Sequence, residues 1–125
     1  MLDAAQDRYR MVQVSTSSPT RLVAMMCEGA ARFFGQASAS ISNGDSEGAD
    51  YWLGRACAII HELLGTLDFQ AGKDVARHLG QIYTMTLREA MRAKLGRDAT
   101  ALSKLQSVFT DLRNDWIELA GRQSC

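Results

Sequence analysis

Ala49, Leu53, Ala56, Ile60, Leu63 and Leu67 follow one another at spacings of four, three, four, three and four residues. A helix turns once in 3.6 residues, so this rhythm lays all six side chains along one stripe, whereas a strand would scatter them over both faces. Three more rows of the same kind fill the chain. Leu22, Met26, Ala30, Phe33, Ala37 and Ile41 precede it. Val75, Leu79, Ile82, Tyr83, Leu87, Ala90 and Met91 follow, and Leu102, Leu105, Phe109, Leu112, Trp116 and Leu119 come last. Only Pro19 breaks the supply of backbone donors in 125 residues, so little prevents these rows from being continuous helices.

Stop and start signals separate the rows. Ser18-Pro19 predicts the first helix start, a serine cap followed by a proline at a position whose N–H has no helical partner. Asn43-Gly44 ends that helix, and the second begins near Asp45 or Ser46. The third is expected from about Gly72 to Leu95, with Gly96 ending it and Asp98 capping the fourth. Four helices of similar length on short connections predict an all-α, antiparallel up-down-up-down bundle over residues 19–121. Residues 1–18 read as a partly ordered leader, because Met11, Val12 and Val14 have no helical row around them, and 122–125 as a tail. Charge supports the pairing of the middle helices. Residues 45–70 carry Asp45, Glu47, Asp50, Glu62 and Asp68 against Arg55, while 73–97 carry six basic residues against Asp74 and Glu89. Their facing edges attract, by about 0–1 kcal/mol per exposed pair.

Composition excludes several function classes. Fourteen Lys and Arg balance fourteen Asp and Glu, so no net field draws the molecule to nucleic acid or an anionic membrane. Cys27, Cys57 and Cys125 are odd in number and lack CxxC spacing, which argues against a disulfide framework or zinc site and for a reducing cytoplasm. The first 18 residues have no basic start and apolar run of a signal peptide, and no apolar stretch approaches the ~18 residues of a membrane span. A soluble, cytoplasmic protein without membrane insertion is expected.

Candidate chemistry can be tested residue by residue. Gly72-Lys73 suggests a phosphate loop, but Leu67 stands where its first glycine is required, Asp74 where Ser or Thr would bind magnesium, and no strand precedes it. It reads as a turn. Di-iron bundles need Glu-x-x-His pairs, and none of the glutamates, Glu28, Glu47, Glu62 and Glu89 among them, has a histidine three residues later. His61 with Gly65 loosely resembles a histidine phosphotransfer motif, yet Leu64 occupies the place of its lysine, so His61 reads as a boundary residue beside the apolar stripe. His78 is expected to face solvent. Cys27 and Cys57 read as small hydrophobes within helices. Arg88, Arg92, Lys94 and Arg97 read as a solvated face near the negative end of their helix, without the aromatic platforms of a nucleic-acid surface. No catalytic, cofactor or metal site emerges, and an interaction module is expected.

Several segments taken together are more specific. Tyr9, Ser18-Pro19, Leu22, Glu28-Gly29-Ala30, Leu67-Asp68, Gly72, Leu79, Tyr83 and Trp116 stand in the order and spacing of the FliS family, the flagellin-specific export chaperones, which the chain resembles over about residues 8–120. It departs at Cys27, usually tyrosine in that family, and at Lys73, where many members have a second glycine. The resemblance implies a cytoplasmic chaperone, not an enzyme and without cofactors, that binds the disordered C-terminal segment of flagellin. It would prevent premature polymerisation and deliver the subunit to the flagellar type III export apparatus, with export-gate components as further partners. Helix-in-groove recognition fits such a client. Apolar residues off the core rows are the expected contacts: Val23, Met25, Phe34, Trp52, Ile59, Leu64 and Met85, with Tyr9, Met11, Val12 and Val14 of the leader covering a groove until the client displaces them. Two alternatives stay open, a phosphotransfer module using His61 and a family member serving another secreted client.

Overall fold

A computed structural model describes residues 19–123. The leader, with Tyr9, Met11, Val12, Val14 and the Ser18 cap, and the terminal Cys125 lie outside the described residues. Within them are four helices: α1 (Pro19–Ser42), α2 (Ser46–Gly65), α3 (Phe69–Gly96) and α4 (Ala99–Gln123). No strand occurs among the described residues.

Local chemistry accounts for each boundary. Gly44 takes a positive φ of 75°, which lets the Asp45 N–H reach back to the Ser40 carbonyl at 2.8 Å and close α1. The Asp45 carboxylate then accepts from Gly48 N–H at 2.9 Å, capping α2. Asp68 caps α3 by accepting from the N–H groups of Gln70 and Ala71 at 3.1 and 3.0 Å. For that reason α3 starts at Phe69, a turn ahead of the expected Gly72. It bends at Lys73, whose φ of 48° and ψ of −119° are not helical. At the other end Gly96 is still helical and Arg97 takes the left-handed conformation, φ 51°. Asp98 caps α4 through Ala101 N–H at 3.0 Å, as expected.

The helices form a ring in which α1 packs on α2 and α4, and α3 closes the circle against both of these. Contacts between opposite ends establish the antiparallel arrangement. Ser38, late in α1, donates to the Ala99 carbonyl at the start of α4 at 2.8 Å, and its Oγ lies 3.0 Å from that of Ser103. Arg97, at the end of α3, pairs with Asp50 at the start of α2 at 3.2 Å. This pair realises the attraction expected between the second and third helices.

Burial confirms the α2 row from Ala49 through Leu53, Ala56 and Ile60 to Leu63, whereas Leu67, expected to continue it, lies beyond the helix end at Gly65 and is half-buried. The other three rows need correction. In α1 the buried set is Ala24, Cys27, Ala30, Ala31, Phe33, Phe34, Ala37, Ser38 and Ser40, while Leu22 and Met26 are half-buried. α1 lies between two helices, so it buries two stripes: Phe33 stacks on Trp52 of α2 at 5.5 Å, and Phe34 meets Phe109 of α4 at 5.9 Å. In α3 the buried residues are Ala76, Leu79, Gly80, Tyr83, Thr86, Ala90 and Ala93. Val75 and Met91, assigned to the core row, are exposed, as is Leu95. Leu119 of α4 also reaches solvent, and Ala120 is buried instead.

Candidate functional site

Apart from Leu79 and Tyr83, α3 turns small residues inward, which leaves its other large apolar side chains outside or along its edges. On the side toward α4 this produces a groove of about 700 Å³, with Ile82 and Met85 on one wall and Leu105, Val108 and Leu112 on the other. Leu105, Val108 and Leu112 recur at three and four residues, one edge of α4. Charges rim the groove. Arg88 and Glu89 stand on the α3 side, Asp111 and Asp115 on the α4 side. On the opposite flank of α3 lies a second hollow of about 440 Å³, bounded by Leu64, Phe69 and Gly80 and again by Met85 and Arg88. Met85, 64% exposed, is the saddle between them. Its unbranched thioether suits a surface that must adapt to a partner.

A third, smaller cavity of about 210 Å³ sits at the bundle end, under the α2–α3 turn, between Val23, Leu67, Val75, Leu79, Tyr83 and Trp116. Thus the stretch Thr66–Gly72 forms one wall of an apolar hollow, in keeping with a turn and not a phosphate loop.

The anticipated contact residues do not share one surface. Met85 and Leu64 border the paired α3 grooves, and Val23 borders the end cavity. Trp52 and Ile59 are half-buried against α1, Trp52 by stacking on Phe33 and Ile59 beside Gly29. Met25 is exposed on the outside of α1. Phe34 must be withdrawn: at 0% exposure it belongs wholly to the α1–α4 core. Two contributors were missed. Val108 was visible as the member between Leu105 and Leu112, but its neighbour Phe109 drew the row to itself. Phe69 became accessible only because Asp68 starts α3 early.

Of the charges on the groove rim, Glu89 is spent internally. Arg92 chelates Glu89 at 2.5 Å and reaches Asp98 at 3.2 Å, so the bond from Arg92 holds the Glu89 carboxyl below its ordinary range. The Asp98 carboxyl is lowered first by the Ala101 N–H and then by Arg92. With Arg97 committed to Asp50, the basic run on α3 is an internal network as much as a solvated face. Burial pushes the Cys27 thiol up to about 12 and raises Cys57, against a smaller opposing effect of Lys94. Neither is activated as a nucleophile. Burial and then Cys27 raise the Tyr83 phenol to about 12. His61 is exposed on α2. No group of three or more potential metal ligands occurs among the described residues. No helix among them is long and apolar enough to cross a membrane.

The chain is 31% identical over 120 residues to the flagellar secretion chaperone FliS of Campylobacter jejuni, covering 96% of this chain and 94% of that one. It is 29% identical over 108 residues to the protein of that name from Bacillus subtilis, covering 86% and 80%. With that of Salmonella typhimurium it shares 26% over 112 residues, covering 89% and 83%. The profile of the family described as flagellar protein FliS matches residues 1–123. With its four-helix bundle and the matched length, the chain belongs to the FliS family of flagellar secretion chaperones.

Proposed function

We propose that this protein binds the C-terminal segment of flagellin in the cytoplasm, keeps it from polymerising and hands it to the flagellar type III export apparatus. The observation that carries the reading is the open apolar groove between α3 and α4, continued across Met85 toward Leu64 and Phe69. From Ile82 to Glu89 the α3 wall rises about 10 Å, room for two turns of an amphipathic partner with anchors at i, i+3 or i+4, and i+7. A client that is disordered beforehand gives up about 2–5 kcal/mol or more on ordering, so several such anchors are needed. Recognition requires no bond chemistry, and the protein acts by binding.

Calorimetric titration with the C-terminal peptide of the host's own flagellin, about 40 residues, tests the reading. One-to-one binding with a large negative heat-capacity change, characteristic of apolar burial, is expected. Met85→Lys and Val108→Lys, both at exposed positions, should weaken it at least tenfold while leaving the melting temperature within a few degrees. Absence of binding by the unsubstituted protein would refute flagellin as the client and leave the family's other secreted proteins to be screened. Undiminished binding by both variants would refute the groove.

A further inference from the structure

The groove between α3 and α4 has a direction as well as an apolar lining. One edge of α4 carries Lys104, Val108, Asp111 and Asp115 at spacings of four, three and four residues, so the four stand in one row beside the groove. The row of α3 on the other wall carries Gln81, Met85 and Arg88. Arg88, Lys104, Asp111 and Asp115 are all exposed. None of the four forms an ion pair among the described residues.

The two rows run antiparallel, because α3 ends at Gly96 and α4 starts at Ala99. Counting equally from that turn sets Arg88 level with Ser107, and Asp115 level with Gly80. Lys104 therefore belongs to the turn end, where the Glu89 carboxyl, lowered chiefly by Arg92, also feels its charge. Asp111 and Asp115 lie roughly 6 and 12 Å further from the turn than Arg88. At the turn end Arg88, Lys104 and Arg92 outweigh Glu89 and Asp98, and Arg97 is matched by Asp50. At the far end the neighbouring cations are already engaged, Arg77 with Asp74, Arg113 with Glu28 and Arg122 with Glu118. The groove thus has a positive pole and a negative pole, with Met85 and Val108 between them.

We propose that these poles orient the partner, and that the groove takes an amphipathic helix whose charges are separated along its length. Its first turns are basic and lie at Asp111 and Asp115; its last turns are acidic and lie at Arg88 and Lys104. This rests on the reading of the α3–α4 groove as the client's surface. Opposite charges facing one another across a contact fix register and reject wrong orientations more than they add affinity. The unpaired N–H groups at the start of the partner helix favour the same direction, since they bring partial positive charge to the two aspartates. The partner accordingly runs parallel to α3. Each exposed pair is weak, so the preference comes from their number and fades as salt screens them.

The test uses two designed peptides of about 18 residues, long enough to hold a helix on a surface, blocked at both ends and with the same leucine row. One has lysines in its first half and glutamates in its second, and the other has the two exchanged. ¹H–¹⁵N spectra of the whole protein give the affinities, and a nitroxide at the start of the peptide shows which end lies where. At low salt the lysine-first peptide should bind at least threefold more tightly, and its label should broaden the amides of Gly80 and Asp115 while sparing Arg88 and Lys104. Combining Arg88→Glu, Lys104→Glu, Asp111→Lys and Asp115→Lys should turn that peptide round, so that its label broadens the turn end instead. Binding by neither peptide, equal affinities, or a label that stays in place in the charge-exchanged variant would overturn the proposal. So would shifts at Met85 and Val108 that grow with protein concentration alone, which would give the groove to a second copy. The flagellin peptide separates this proposal from the reading beneath it. If that peptide binds the charge-exchanged variant undiminished but is weakened by Met85→Lys, the groove stands and the poles do not orient the client. If it fails to bind while the designed peptides behave as expected, flagellin is not the client and the poles stand.

Discussion

Lys73 holds a backbone conformation that costs a side-chain-bearing residue energy, and replacing it gives a prediction with a definite sign. Its φ of 48° and ψ of −119° lie where the Cβ crowds its own backbone, outside the ordinary left-handed well. Strain of this kind amounts to about 1–3 kcal/mol. Lys73→Gly removes the Cβ and that strain, but frees the unfolded chain by about 0.5–1 kcal/mol. The net expectation is a stabilisation of up to about 2.5 kcal/mol. For a domain of this length each kcal/mol shifts the melting temperature by about 4 °C, so thermal unfolding should move up by as much as about 10 °C. Lys73→Ala is the control. The side chain is exposed, so alanine removes the charge and the stem but keeps the Cβ, and should change stability by less than ~0.5 kcal/mol. Unfolding by urea with circular dichroism detection measures both variants. A glycine variant no more stable than the alanine variant would refute the argument, since the two differ at the atom held responsible.

Other perturbations follow from the packing and the titrating groups. Phe34→Ala should cost about 3–5 kcal/mol, the range for emptying a buried aromatic site, measurable by urea denaturation. Asp68→Ala removes the acceptor for two backbone donors and should cost about 1 kcal/mol, with faster amide exchange at Gln70 and Ala71. Cys27 and Tyr83 both keep their protons longer when folded. Between their ordinary values near 9.0 and 10.0 and about 12 the folded state therefore binds more protons than the unfolded one. Stability should fall with rising pH across that window, with a slope of about 1.4 kcal/mol per pH unit for each group. Cys27→Ala should abolish the part that begins near pH 9. At the acid end Glu89 and Asp98, lowered in the folded state, contribute stability that is lost as pH falls below the ordinary carboxylate range, and Arg92→Gln should flatten that decline.

How much of this could be read from the chain depended on how many neighbours each helix has. α2 buries one stripe, and its row of Ala49, Leu53, Ala56, Ile60 and Leu63 was legible, the one error being to carry it on to Leu67, past the helix end. α1 is covered from two sides, so a search for one face found Phe33 and Ala37 but handed Phe34 to the surface. In α3 the row held at Leu79, Tyr83 and Ala90 and failed elsewhere for the opposite reason. Ala76, Gly80, Thr86 and Ala93 also face inward because close approach needs small residues, and the bulk of Val75 and Met91 suggested burial they do not have. The groove inherits this pattern. Met85 and Leu64 stood out as apolar residues off the rows, whereas Val108 was hidden beside Phe109. The bend at Lys73 left no trace, because lysine carries no signal for a positive φ.

The α1–α4 contact, the broadest in the bundle, joins the first of the described helices to the last. On the ribosome α1 is complete long before its principal neighbour exists. At about 5–20 residues per second, several seconds pass before α4 follows it out. During that interval Cys27, Ala31 and Phe34 form an uncovered apolar strip, and α2 can shield only the other side. A nascent chain halted before residue 99 should bind a hydrophobic dye and be cut readily by protease, and one that includes Gln123 should resist both. The order of synthesis thus makes α4 the element that commits the bundle to its fold.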